Sequence, residues 1–265
     1  MNSDDQKLIY VYCLTSFQPS QIETYENGKL YLIENNGLYL AVKNVSEDEY
    51  SEVALKKNIS NESWLDTHVR AHISIISKIM ETQTVIPFNF GTIYTSAETL
   101  NLFIDKYYSQ LTQALHYLEN KEEWSVKIYC DKNTVINNIS ILSSTVSDIE
   151  LQIKNSSPGK AYILGKKKIE LIGKEIAGIY NSYSKLFFTQ LNSCSEEYRL
   201  NTILSNDLSG RDDDMILNVT FLIEKERLNN FIVLTDQMIS QYENIGLALD
   251  LTGPWPPYTF LNLSH

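Results

Sequence analysis

His68 and His72 lie four residues apart in a run of helical periodicity, the spacing at which two imidazoles can meet one metal ion. The HExxH form of a metal-dependent hydrolase is absent, and neither His116 nor His265 has a context that makes it a third ligand. His72 falls inside the apolar stripe of its helix and His68 at the margin, so a hydrogen-bonded structural pair is the simpler expectation. Cys13, Cys130 and Cys194 show no CxxC spacing; Cys13 and Cys130 sit in strand-like runs and read as small buried residues. The basic cluster Lys160, Lys166, Lys167 and Lys168 follows no GxxxxGK[ST] pattern, and neither GxGxxG nor an RNP1-type signature occurs, so it reads as a solvated helix face. Asp212 to Asp214, behind Ser209, Gly210 and Arg211, read as a polar turn without EF-hand spacing. No GxSxG or Cys-His nucleophile signature is present. The residues assign no catalytic group, no cofactor and no metal.

The totals narrow the class further. A chain of 265 residues exceeds a typical single domain, and 43% hydrophobic with 21% charged residues is the composition of a folded protein with two cores. A net charge of −11 disfavours nucleic acid and anionic membrane as partners, since both are bound through clustered Lys and Arg. The start MNSDDQKLIYVYCL lacks a basic region and a long apolar core, and no later run approaches the roughly 20 residues that span a bilayer. A cytoplasmic protein is the expectation.

Elements are legible around Val85 to Tyr94, the most strand-like run. Alternation places Ile86, Phe88, Phe90 and Tyr94 on one face, with Pro87 and Gly91 making the strand irregular. Lys7 to Leu14 reads as a buried strand. Asn27 and Gly28 begin a turn into Lys29 to Ile33, which forms a hairpin with Leu38 to Val45 around Asn35, Asn36 and Gly37. Ser63 and Asp66 suggest a capped helix to Thr82, whose stripe is Leu65, Val69, His72, Ile73, Ile76, Ile79 and Met80. Thr95 and Glu98 suggest a second, with Leu100, Phe103, Ile104, Tyr107, Leu111, Ala114, Leu115 and Leu118 facing the core.

Beyond the charged group Glu119 to Glu123 the pattern changes. Trp124 to Cys130 alternates like a strand, followed by helical patterns at Thr134 to Ile153 and Pro158 to Leu191, the latter with Gly165, Gly173 and Gly178 as candidate breaks. Strands at Tyr198 to Leu204, Met215 to Ile223 and Ile245 to Leu251, with a helix at Lys225 to Tyr242, complete the order βαββαβ. The reading is α+β: an N-terminal α+β domain over 1–121, a ferredoxin-like split-βαβ domain over 122–251, and an extended tail over 252–265. In that tail LTGPWPPYTF gathers prolines around Trp255, Tyr258 and Phe260, which suits either docking on its own body or an arm for a partner. Phe88, Phe90, Trp255 and Tyr258 are the candidates for partner contact, Phe88 and Phe90 being also candidates for the core.

IPFNFGTIY, EWSVKIYCD, SPGKAYIL, MILNVTFLIEKE and LTGPWPPYTF occur in the order found in the gas vesicle proteins GvpF and GvpL, which this chain resembles from Leu8 to Phe260. His72 is similar to the family's histidine ahead of PFNFGT. Asn89 stands where the family usually has arginine, and NVTFLI is more β-branched, which leaves the choice between GvpF and GvpL open. The resemblance implies a minor structural and assembly protein of the gas vesicle, with two α+β domains and a C-terminal tail. As partners it implies the very hydrophobic major shell protein, kept from aggregating during nucleation, and other minor gas vesicle proteins. It carries over no catalytic residue. Two other readings are a metal- or small-molecule-dependent enzyme using His68 and His72, and a ferredoxin-like RNA-binding module.

Overall fold

A computed structural model describes residues 7–19 and 29–261. The expected turn at Asn27 and Gly28, and His265, lie outside the described residues. The chain divides into two compact units, one of Met1–Glu122 with Pro254–His265 and one of Glu123–Gly253.

In the first unit β1 (Lys7–Thr15), β2 (Leu30–Asn35) and β3 (Leu38–Ser46) are followed by α1 (Glu47–Tyr50), α2 (Glu52–Ile59) and α3 (Glu62–Met80). The short β4 (Ile86–Pro87) and β5 (Ile93–Tyr94) then lead to α4 (Ala97–Leu118). The sheet order is β2-β3-β1-β4, with β5 also pairing β1. Asn36 and Gly37 at φ 52° and 80° make the tight turn expected between β2 and β3. β1 is central and buried on both faces, which is why it reads as an unbroken apolar run. A register shift between Val11 and Cys13 leaves Tyr12 as an extra residue, and Tyr12 and Cys13 then join the same core cluster as Leu8 and Tyr10. Ile9, Val11 and Leu14 face the other side, where Leu100, Ile104, Leu111 and Leu115 of α4 cover them.

The expected strand at Val85 to Tyr94 is corrected to two two-residue strands flanking a turn. Phe88 N–H donates to Tyr12 O at 2.9 Å and Val11 N–H to Thr92 O at 3.0 Å, so both arms hang on β1. The turn between them, with Gly91 at φ 80°, breaks the alternation: Ile86, Phe88 and Tyr94 pack with the α4 cluster, whereas Phe90 joins Val85 and Ile93 on the α3 side. The helix starts also shift. Asn61, not Ser63, caps α3 by accepting from Trp64 N–H at 3.2 Å, and Ser96 forms the capping box of α4 with Thr99. His72, Ile76 and Ile79 are buried as expected, with Ile75 added. The helices α1 and α2, absent from the sequence reading, begin at Ser46 and Ser51, whose side chains accept from Asp48 and Ala54 amides.

The second unit is built from β6 (Lys121–Cys130), which enters it at Glu123, α5 (Lys132–Asn137), α6 (Ile139–Leu142), α7 (Ser144–Lys154), α8 (Pro158–Asn192) and β7 (Glu197–Leu200). It continues through α9 (Asn206–Ser209), β8 (Asp214–Glu224), α10 (Leu228–Tyr242) and β9 (Leu247–Trp255). β9 leaves the unit after Gly253 and takes in residues 252–255, which corrects the expected strand end at Leu251 and tail start at 252. The strand order β7-β8-β6-β9 is the one that the split βαβ produces. Val126, Ile128 and Cys130 of β6 and Leu217, Val219, Phe221 and Ile223 of β8 alternate onto one face, where Phe231 and Met238 of α10 and Ile176, Phe187 and Leu191 of α8 close the core.

Other expectations change as well, and the strand expected at Tyr198 to Leu204 ends at Leu200. The pattern at Thr134 to Ile153 is three helices, and α8 is a single 35-residue helix in which none of the three glycines makes a break. An added Cβ at Gly165, Gly173 or Gly178 meets nothing within 4 Å, so these glycines answer no packing demand. At 1.5 Å per residue α8 runs about 52 Å. Lys168 pairs with Glu150 of α7 at 2.6 Å, while Lys160, Lys166 and Lys167 are exposed.

Candidate functional site

His72 is the node of the first unit. Its position on the inner face of α3 places the ring among Tyr10 and Tyr12 of β1 and Phe90 of the turn, with Tyr12 stacked on it at 5.4 Å. Tyr10 Oη lies 2.8 Å from His72 Nδ1, and His72 Nε2 lies 3.0 Å from both Phe88 O and Tyr258 Oη. Tyr258 Oη donates to Phe88 O at 3.2 Å, and Gly91 N–H donates to Tyr10 Oη at 3.3 Å.

A carbonyl accepts only, so Nε2 carries the proton toward Phe88 and Nδ1 accepts from the Tyr10 hydroxyl. Burial supports this assignment. With 2% of its surface exposed, His72 has its pKa lowered to about 4, desolvation outweighing the Phe88 carbonyl that opposes the shift. Burial pushes the phenols of Tyr10 and Tyr258 well above their ordinary range. A neutral imidazole between two protonated phenols fastens one segment to another. It offers neither an ionised nucleophile nor an open metal-binding nitrogen.

What it fastens is the tail. Pro256, Pro257 and Phe260 are buried, and Tyr258 packs with the α3-side cluster. The arm reading of this segment is therefore corrected: Tyr258 is docked on its own unit, because two prolines and two aromatic rings bury more apolar surface there than an exposed arm would. Phe88 and Phe90 are half-buried, Phe88 against Phe103 at 6.0 Å and Phe90 against Trp64 at 6.2 Å. Trp255 stands apart from these three candidates with 40% of its surface exposed.

His68 shares no partner with His72. Its ring stacks on Trp64 at 3.9 Å, Nδ1 lies 2.7 Å from Trp64 O, and Nε2 lies 3.4 Å from Glu49. Among the described residues no group of three or more His, Cys, Asp and Glu side chains is placed to hold a metal. Cys13 and Cys130 are buried and free, with desolvation raising the first thiol far above its usual range and the second to about 12. Tyr10, Tyr12, Tyr50 and Trp64 complete the aromatic cluster and were not singled out in the sequence. For Tyr50 the signal was present, since Ser46 followed by Glu47, Asp48 and Glu49 is an N-cap with an acidic first turn.

The two blocks that meet here, PFNFGT at 87–92 and GPWPPY at 253–258, are those on which the resemblance most depends. A family model described as "Gas vesicle synthesis protein GvpL/GvpF" matches residues 8–262. The chain belongs to the GvpL/GvpF family. Gas vesicle protein L of Streptomyces sp. (strain CB03234) is 20% identical over 98% of this chain and 94% of its own length. Gas vesicle protein L1 of Halobacterium salinarum is 21% identical over 95% of the chain and 89% of its own length. The crystal structure of GvpF from Anabaena sp. PCC7120 superposes with a TM-score of 0.70, at 20% identity, over 98% of this chain and all (100%) of that one. This likeness shows the fold, and the GvpL/GvpF match makes the chain a gas vesicle protein. Within that family the enzyme and RNA-binding readings are not favoured. No described helix is long and apolar enough to cross a membrane.

Proposed function

We propose that this chain is an assembly protein of the gas vesicle that binds the very hydrophobic major shell protein in the cytoplasm and keeps it from aggregating while the vesicle nucleates. The observation that carries the reading is the family match across residues 8–262. Two physical features support it. The net charge of −11 keeps a complex with an apolar client dispersed. Both units also expose large apolar side chains, among them Val53 at 81% and Leu102 at 68% in the first and Leu200 at 63% and Leu208 at 74% in the second. Among the sequence-nominated candidates Trp255, with 40% of its surface exposed, is the most accessible to a client; Phe88, Phe90 and Tyr258 act by holding the unit together. Other minor gas vesicle proteins are further partners in this reading.

Co-expression of the tagged chain with the major shell subunit tests it. Soluble shell subunit that co-purifies with the intact chain is the expected result. A folded chain that neither keeps the shell subunit soluble nor retains it removes shell binding from the account. Removing residues 252–265 is a poor variant for this purpose, because it also strips Tyr258 from His72.

A further inference from the structure

The second unit carries an open sheet edge. In the order β7-β8-β6-β9 the outer side of β7 has no neighbouring strand among the described residues. Glu197 lies opposite Leu222 and Leu200 opposite Val219, and Asn201 N–H donating to Asn218 O at 2.8 Å continues that register. Alternate residues of an antiparallel strand face the partner, so Glu197, Arg199 and Asn201 turn their amides toward β8 while Tyr198 and Leu200 turn theirs outward. One of these outward groups, the Tyr198 carbonyl, accepts from Arg199 Nη1 at 2.9 Å.

The side chains that accompany the outward amides are apolar and open. Tyr198 is 40% exposed and Leu200 63%, and Ile203 follows at 48%. Tyr198 packs edge-on against Phe188 of α8 at 4.8 Å, which places it and Leu200 on the helix side of the sheet. On the opposite side Arg199 and Glu197 form an ion pair. A cleft of about 490 Å³ runs along the edge, lined by Asn192, Ser195 and the stretch Glu196 to Leu200. Sheet edges are ordinarily guarded by lysine, proline or a covering segment, and no lysine or proline occurs from Glu196 to Leu204.

We propose that the β7 edge docks an extended apolar segment of the shell subunit, which joins the sheet as a fifth strand beside Tyr198 and Leu200. This rests on the shell-binding reading above and names the surface that performs it. The form of the occupant follows from the edge: only an extended backbone offers amides and carbonyls at the spacing of β7. Its chemistry follows from the two sides. Apolar residues at alternate positions gain cover from Tyr198 and Leu200, and the Glu197–Arg199 pair already balances the charge opposite. A second copy of this chain is the poorer occupant, since each copy brings a net charge of −11 to the contact.

The test is the co-expression assay with the full chain, using Leu200→Pro and Leu200→Lys. Proline deletes an outward amide that β8 does not use and leaves the Asn201 to Asn218 bond in place, while lysine keeps the backbone and guards the edge. Val233→Lys on α10, an exposed apolar position at 53%, is the control. Each Leu200 variant is expected to lower co-purified shell subunit by about ten-fold or more, with an unchanged circular dichroism melt and a control that binds like wild type. If Leu200→Pro fails to fold, Leu200→Lys decides. Wild-type retention of shell subunit by folded Leu200 variants overturns the edge proposal and leaves shell binding standing. No retention by the wild-type chain overturns both. A wild-type dimer in sedimentation that becomes monomeric in the Leu200 variants gives the edge to a second copy and overturns the proposal.

Discussion

Acidification should loosen the first unit through His72, and the size of the effect follows from the buried node. The folded imidazole has a pKa of about 4 because burial disfavours its charged form, against an ordinary value of about 6.5 in the unfolded chain. As pH falls below about 6.5 the unfolded state takes up a proton that the folded state refuses, so stability is full above that point and is lost on the way down to about 4. The gap is worth about 3 kcal/mol when fully expressed, and about 2 kcal/mol of it is gone by about pH 5, where most carboxylates remain ionised. The geometry agrees, since a proton added at Nδ1 would face the Tyr10 hydroxyl, which donates to that nitrogen at 2.8 Å. Urea unfolding of wild type and His72→Gln at about pH 7.5 and about pH 5 isolates this share, the other histidines being common to both chains. Wild type should lose about 2 kcal/mol more than His72→Gln over this interval. Equal losses in the two chains, or a His72 imidazole titrating above about pH 6 by nuclear magnetic resonance, would refute the reasoning.

Three further outcomes are expected. Gly91→Ala forces a side chain onto a φ of 80° and puts its Cβ 3.2 Å from Leu55 Cδ2, so chemical unfolding should show a loss of about 1–2 kcal/mol. Tyr258→Phe keeps the ring and removes the hydroxyl that reaches Phe88 O and His72; it should cost about 1 kcal/mol and speed proteolysis of the tail, and unchanged protease protection would count against the docking role. Phe187→Ala empties a fully buried position in the second unit and should cost about 3–5 kcal/mol, with hydrogen exchange rising in α8, β8 and α10 before the first unit responds.

Much of the fold is local and therefore legible. The hairpin follows from Asn36 and Gly37, whose positive φ only a few residue types tolerate. The cores of α3 and α4 follow from periodicity, and the strand order of the second unit follows from the alternation of β6 and β8 between helical runs. The errors share a physical origin. Val85 to Tyr94 has the composition of one strand, but the long contacts to Tyr12 and Val11 of β1 hold its two ends while the middle turns, so Phe90 faces opposite to its alternation. Composition also gave α8 three places to break, and packing against α7 and the sheet keeps it continuous. Nothing local announces the extra Tyr12 in β1, because a bulge appears only when two strands are aligned.

The candidate site divides in the same way. The sequence by itself determined the residue types, the absence of a recognised catalytic signature, the acidic balance and the blocks that resemble GvpF and GvpL. It marked His72, Phe88, Phe90 and Tyr258 without relating them. Tertiary structure decided that relation: His72 and Tyr258 are 186 residues apart in the chain and 3.0 Å apart in the fold. It also decided that Tyr198 and Leu200 stand at an open edge, since a strand's neighbours follow from the sheet order and not from its own residues. Periodicity fixes which side of an element is apolar; which distant segment covers that side, or leaves it uncovered, is set only when the whole chain packs.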